Sequence, residues 1–235
     1  MAITTVLFDL DGTLLPMDQD VFIADYFRRL AGKMAPYGYE PRKLMTMIYQ
    51  GIKAMVTNDG TQSNEKAFWA VAEAVYGEKV LQDRPHFEEF YRTDFDNIKT
   101  VCGFQPRSAE IVRGLKSRGF RVILATNPLF PAQATHWRIQ WAGMKPEDFE
   151  LVTTYDNSSS CKPNPKYYQD ILDQFGLKAE ECVMVGNDVT EDMIAGTMGM
   201  KVFLLTDCMI NKDNEDISVY PNGDFTELEM FLKTI

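Results

Sequence analysis

Two aspartates stand one residue apart in Asp9-Leu10-Asp11-Gly12-Thr13, directly after the apolar run Thr5-Val6-Leu7-Phe8. On a continuing strand both carboxylates would share one face, and Gly12 lets the backbone turn sharply behind them, so both converge on one small volume. Negative charges that close at the mouth of a strand need a counter-charge. A divalent cation with oxygen ligands supplies one, and Mg2+ held there can also hold a phosphate oxygen. A solvated strand-to-turn corner accounts for Asp and Gly as well, and the aspartate pair alone does not separate the two readings. The apolar lead-in and the Gly-Thr extension favour the chemical one.

Three later segments carry polar groups where strands are expected to end. Ala125-Thr126-Asn127-Pro128 presents a hydroxyl and an amide able to donate to phosphoryl oxygens, although Thr-Asn-Pro is also an ordinary turn. Cys161-Lys162-Pro163-Asn164-Pro165 fixes a lone lysine between a strand exit and a proline-started helix, in a class of residue that is mostly solvated surface charge. In Gly186-Asn187-Asp188-Val189-Thr190-Glu191-Asp192, the acids Asp188 and Asp192 lie four apart at a strand-to-helix junction. They could stand on one helical face, or Glu191 and Asp192 could serve the helix N-terminus electrostatically. His86 and His136 are isolated, with no partners that suggest a metal site or a triad.

Positioning such groups requires a sheet. Short apolar runs predict buried strands over Ile3 to Phe8, Arg121 to Ala125, Leu151 to Thr154, Cys182 to Val185 and Lys201 to Leu205. Helical stretches separate the last four, the alternation of a parallel sheet. Pro106 to Arg118 is helical and ends at Gly119; Asn164 and Pro165 cap and start a helix that runs to Gly176; a last helix begins near Thr226. Between the first two strands lie about a hundred residues with helical periodicity only, read as helices over Asp20 to Ala31, Arg42 to Val56, Asn64 to Tyr76 and Pro85 to Thr93. An insertion of that size can bury its own core, so it reads as a second domain with hinges near Leu15 to Met17 and Lys99 to Phe104.

The net charge of −10 and pI near 4.8 argue against a nucleic-acid or anionic-membrane surface, so an anionic substrate must be drawn in by a local positive site. Cys102, Cys161, Cys182 and Cys208 form no C-x-x-C pair and no zinc-like spacing, as expected for free thiols in a reducing compartment. No 18-residue apolar run occurs, and Asp9 interrupts the N-terminal apolar segment too early for a signal peptide. The expectation is a soluble, cytoplasmic protein; nothing in the sequence specifies an oligomeric state.

Taken in order, the four segments resemble the motifs of the haloacid dehalogenase superfamily, whose phosphatase members carry D-x-D-G-T, then Ser or Thr, then Lys, then an acidic pair. The resemblance implies an α/β fold: a Rossmann-like parallel sheet core over residues 1–15 and 101–235, with an inserted all-helical cap domain over residues 16–100 similar to the family's C1 type. It implies a Mg2+-dependent phosphatase acting on small phosphorylated metabolites through an aspartyl phosphate. Asp9 would be the nucleophile and Asp11 the acid and base. Thr126, Lys162, Asn127 and the backbone around Leu10 and Gly12 would bind the phosphoryl oxygens. Asp9, the Asp11 carbonyl and Asp188 would hold the metal, with Asn187 and Asp192 outside them. The chain departs from the common pattern in Asn187, which follows Gly186 where an acid is frequent, and in Ser158-Ser159-Ser160-Cys161, where a glycine often precedes the lysine. A phosphomutase would use the same Asp9 and Asp11, and a non-catalytic binding or regulatory protein could retain the fold.

Overall fold

The computed structural model describes residues 2–235. Strands β1 (Thr5–Phe8), β2 (Arg121–Leu124), β3 (Cys182–Gly186), β4 (Lys201–Leu205) and β5 (Asn222–Gly223) form one sheet in the order β2-β1-β3-β4-β5, with every adjacent pair parallel. This is the α/β, Rossmann-like arrangement. The strands are short apolar runs because both faces are covered. Val6, Phe8, Leu124 and Val185 face one layer, while Leu7, Ile123 and Met184 face the other. Helices α6 (Pro106–Ser117), α7 (Ala132–Trp141) and α9 (Phe225–Lys233) cover the first face; α8 (Pro165–Phe175) covers the second.

Register decides where the polar segments go. Phe8 pairs with both Leu124 and Val185, so Asp9, Thr126 and Asn187 leave the same sheet edge within one or two residues of each other. The helix that follows Lys162 starts as the sequence predicts, with Asn164 Oδ1 accepting from the Lys166 N–H at 2.9 Å and proline at the first helical position.

Two strand expectations change. Leu151 to Thr154 runs beside β2 but makes only an isolated bridge at Val152. Thr153 turns its hydroxyl onto the Leu124 and Thr126 carbonyls, and the Thr154 N–H donates to Asn157 Oδ1, so the chain turns out of the sheet. Asn222–Gly223 pairs with β4, although two polar residues carry no strand signal.

The inserted helices are α1 (Gln19–Met34), α2 (Pro41–Val56), α3 (Asn64–Tyr76), α4 (Glu78–Gln82) and α5 (Arg84–Glu89). The fourth helix predicted to reach Thr93 stops at Glu89 and continues as a wider π turn over Phe90–Asp94. Its bond from the Phe95 N–H to the Phe90 carbonyl puts these two fully buried rings on one face, with centroids 6.2 Å apart. The segments entering and leaving the insertion lie side by side, bridged at Met17 and Cys102, with the Gly103 N–H donating to the Pro16 carbonyl at 2.7 Å. One buried apolar cluster runs without a break from the β1 face through Leu14, Phe22 and Tyr26 into α2 and α3. Among the described residues, no helix is long and apolar enough to cross a membrane, and all four cysteines are free.

Candidate active site

Asp9 emerges from β1 with its N–H still bonded to the Val185 carbonyl at 2.9 Å, which fixes the direction in which it leaves the sheet. The chain then folds back on itself: the Leu15 N–H donates to the Leu10 carbonyl and the Gly12 N–H to the Leu15 carbonyl, both at 2.8 Å. Gly12 sits at φ +84°, and a Cβ there would collide with the Asn187 side-chain amide, so no other residue fits. Thr13 Oγ1 lies 3.2 Å from Asp9 Oδ2 and 3.0 Å from Asn187 Oδ1, tying the first turn to the loop after β3.

Lys162 is the centre of the charge arrangement. Only 1% exposed, its ammonium donates to Asp9 Oδ1 at 2.9 Å and to Asp192 Oδ1 at 2.6 Å. Burial pushes its proton affinity down, but the facing carboxylates of Asp192 and Asp9 outweigh that and hold the lysine charged, well above its ordinary value. One ammonium proton remains for a third acceptor. Asp192 is equally buried because Gly186 offers no Cβ; one there would overlap the Asp192 carboxylate. Asp192 Oδ2 also accepts from the Asp188 N–H at 3.0 Å. Asp188 Oδ1 in turn accepts from the N–H groups of Thr190 and Glu191 at 2.9 Å, closing one tight turn. The acidic pair thus divides its work: Asp192 fixes Lys162, and Asp188 fixes the loop.

Asp11 is paired with Arg138 of α7 through Oδ2, while its Oδ1 is buried without a partner. Burial pushes the Asp11 carboxyl up to about 6, with Arg138 pulling against it. On the β2 side, the Thr126 carbonyl accepts from Thr153 Oγ1 at 2.6 Å and the Tyr167 hydroxyl at 2.9 Å, and the buried Thr126 hydroxyl makes no hydrogen bond among the described residues. It is free to donate.

Two phosphoryl contacts expected from the sequence change character. The Gly12 N–H is occupied by Leu15, whereas the N–H groups of Leu10, Asp11 and Leu14 in this turn have no partner among the described residues. Asn127 donates its amide to Glu191 Oε2 at 2.9 Å, so it links the loops after β2 and β3, and its own Oδ1 is buried and unpaired. Asn187 holds Thr13 and the Cys208 carbonyl, the latter at 2.6 Å. The remaining residues, Asp9, Asp11, Thr126, Lys162, Asp188 and Asp192, are gathered by these loops at one edge of the sheet.

Arg138 and Asn64 carry no site signal in the sequence, and Glu191, read there as a helix-terminus charge, has a different place. Arg138 lies on α7 at the spacing of Ala134 and Ile139, so its signal was a charge at a core position of a helix. Glu191 is pushed up to about 7 by burial, beside Asn127. Asn64, fully buried at the first turn of α3, donates to the Pro128 and Ser160 carbonyls at 3.4 and 3.3 Å; no local pattern distinguishes it from any helix-start asparagine.

The donor set suits a hard divalent cation. The Asp11 carbonyl oxygen accepts no hydrogen bond among the described residues, only one oxygen of Asp188 is engaged, and Asp9 adds a carboxylate. All are oxygens, as Mg2+ prefers. Among the described residues no three His, Cys, Asp or Glu side chains form a metal-holding cluster.

A family model of haloacid dehalogenase-like hydrolases matches residues 3–198, spanning all four loops. The chain belongs to that family. It is a hydrolase. It is 26% identical over 196 residues to the pyrophosphatase PpaX of Bacillus cereus, covering 83% of this chain and 79% of that one. Its fold is similar to that of a predicted phosphoglycolate phosphatase from Haemophilus somnus (TM-score 0.60, 17% identity, 98% of each chain). It is also similar to that of the HAD-hydrolase YfnB of Bacillus subtilis, solved with magnesium bound (TM-score 0.58, 17% identity, 99% of this chain and 100% of that one).

Proposed function

We propose that this hydrolase is a Mg2+-dependent phosphatase of small phosphorylated metabolites that works through an aspartyl phosphate on Asp9. The observation that carries the reading is the buried ammonium of Lys162 shared between Asp9 and Asp192. It holds Asp9 in place at the strand end and leaves one N–H for a phosphoryl oxygen.

In the first step an Asp9 oxygen forms a bond to phosphorus as the ester P–O bond breaks, its electron pair passing to the leaving oxygen. Protonated Asp11 gives that oxygen its proton. In the second step water bonds to phosphorus, loses its proton to Asp11, and the Asp9–phosphorus bond breaks, restoring the Asp9 carboxylate and releasing phosphate. Lys162, the Thr126 hydroxyl and the Leu10 and Asp11 N–H groups receive the negative oxygens, where most of the stabilisation of phosphoryl transfer lies. Mg2+ held by Asp9, Asp188 and the Asp11 carbonyl would offset the charge of the phosphoryl group beside Asp9. Asp192 and Asn187 fix the groups around that centre.

Residues 16–100 act as the cap, and residues 1–15 and 101–235 as the core. The bridged linkers at Met17 and Cys102 are the natural hinge, and the magnesium-bound structure of YfnB reveals interdomain movement in that protein. Free thiols and the acidic surface suit the cytoplasm, with small phosphorylated molecules and not nucleic acid as partners. The test is release of phosphate from a panel of sugar phosphates, aryl phosphates, nucleotides and pyrophosphate. Turnover should need Mg2+ and vanish with excess chelator; full activity in chelator removes the metal from the reading, and isomerisation without phosphate release replaces the hydrolase with a mutase.

A further inference from the structure

We infer that Arg138 is the positioning residue for Asp11, holding the acid–base carboxyl so that one oxygen alone faces the reacting group. The inference rests on the acid–base reading of Asp11 given above. Arg138 lies on α7, outside all four motif loops, and is 1% exposed. Among the described residues its single carboxylate partner is Asp11.

The guanidinium is itself immobilised. Its Nε donates to the Ala134 carbonyl at 3.3 Å and Nη2 to Thr135 Oγ1 at 3.1 Å, both within its own helix. The Phe130 ring covers it, with Cζ 4.6 Å from the ring centroid. The remaining corner, Nη1, grips Asp11 Oδ2. Asp11 Oδ1 is buried and unpaired. A carboxyl with one oxygen clamped and the other bare can take or give a proton at one atom and in one direction. That is what a group serving first as acid and then as base at the same phosphorus requires.

The alternative is a purely structural ion pair. Buried pairs are a weak source of stability, because desolvation offsets most of the attraction. Nothing in packing alone requires the clamped and bare oxygens to be so divided. Lysine would keep the charge but not the planar fork that reaches Asp11, Thr135 and Ala134 together.

The decisive experiment is a double-mutant cycle of Arg138→Met and Asp11→Asn. Each variant is assayed with phenyl phosphate and 4-nitrophenyl phosphate, alongside thermal melting of each protein. Arg138→Met should lower kcat for phenyl phosphate at least about tenfold, with a smaller loss for the better leaving group and KM changed less than about twofold. In the Asp11→Asn background the same change should have no further effect. Losses that multiply in the double variant, or losses in kcat/KM, which reports the phosphorylation step alone, that are equal for the two esters, overturn the inference.

Arg138→Lys gives a second reading should the methionine variant not fold. It should reproduce the leaving-group-dependent fall in kcat, and full turnover with lysine overturns the role of the fork. If Asp11→Asn alone leaves phenyl phosphate turnover intact, the acid–base reading of Asp11 fails first, and that outcome is distinct from every one above.

Discussion

The carboxyl edge of the sheet and the inserted helices are both densely packed, but they handle charge in opposite ways. At the edge, buried Lys162 faces buried Asp9 and Asp192, and buried Arg138 faces Asp11. In the insertion the interior is aromatic, with Phe22, Tyr26, Phe90 and Phe95 in mutual contact, and ion pairs such as Arg28 with Asp25 and Lys33 with Asp94 lie toward solvent. Burying charge is unfavourable unless every partner is in place, and a rigid strand end is the cheapest frame on which to fix those partners. The proposed chemistry therefore sits where the register of three strands determines geometry, and on that reading the insertion is free to be built for shape.

The largest test of this contrast makes the same substitution in both regions. Asp9→Asn should lower turnover at least about a thousandfold and abolish the phosphoenzyme, since it removes the proposed nucleophile. Asp94→Asn, which breaks the half-exposed pair with Lys33, should leave turnover within about twofold of wild type. Steady-state assays and intact-protein mass spectrometry check both. Comparable losses at the two positions would break the contrast.

A smaller effect concerns Glu191, which lies at the edge without a cationic partner in contact and is pushed up to about 7 by burial. Between about pH 4.5 and 7 the folded state then holds a proton that the unfolded chain releases, so this residue's contribution to stability is full below pH 4.5 and lost as pH rises through 7. Glu191→Gln should remove that slope, raising stability at pH 8 by about 2 to 3 kcal/mol and changing little at pH 4.5. Denaturant melts of the metal-free protein across this range measure it. An unchanged slope would mean Glu191 is ionised and compensated when folded.

What the sequence revealed follows the same divide. Three of the four loops were legible because Asp9, Asp11, Thr126 and Asp188 are polar residues placed shortly after apolar strands, and a short run bounded by turn residues is a local signal; Lys162 was marked instead by the prolines that follow it. The proline-started α8 was legible from its own local signal, an asparagine cap followed by proline. The contacts of Arg138, Glu191 and Asn64 were not, because each is made by residues tens of positions away: Arg138 to Asp11, Glu191 to Asn127, Asn64 to Pro128. Local patterning also misled at Thr153, where β-branched residues read as strand but the hydroxyl captured two carbonyls of its neighbour.

Asn64 is the point where the contrast should blur. It is a residue of the insertion, yet it touches the carbonyls of Pro128, one residue beyond Asn127, and Ser160, two before Lys162. Asn64→Ala leaves those acceptors and the Asn58 amide with fewer partners and should destabilise the protein by about 1 to 2 kcal/mol. Because it loosens together the two loops that carry Thr126 and Lys162, kcat should fall severalfold as well. A stability loss with unchanged kcat would confine the insertion to a packing role.

The smallest effect is expected at Arg28, whose side chain is 66% exposed and pairs with Asp25 on the same helix. An exposed pair gains little because water screens it and two long side chains must be held still. Here it is also redundant: Arg29 binds the other Asp25 oxygen at 2.6 Å, so removing Arg28 does not leave the carboxylate unpaired. Arg28→Ala should therefore change unfolding free energy by no more than about 0.5 kcal/mol, and raising the salt concentration should shrink even that. Denaturation at two ionic strengths decides it. A loss of about 2 kcal/mol or more would mean that the Asp25 cluster behaves like the buried charges at the sheet edge, and the separation of charge between the two regions would no longer hold.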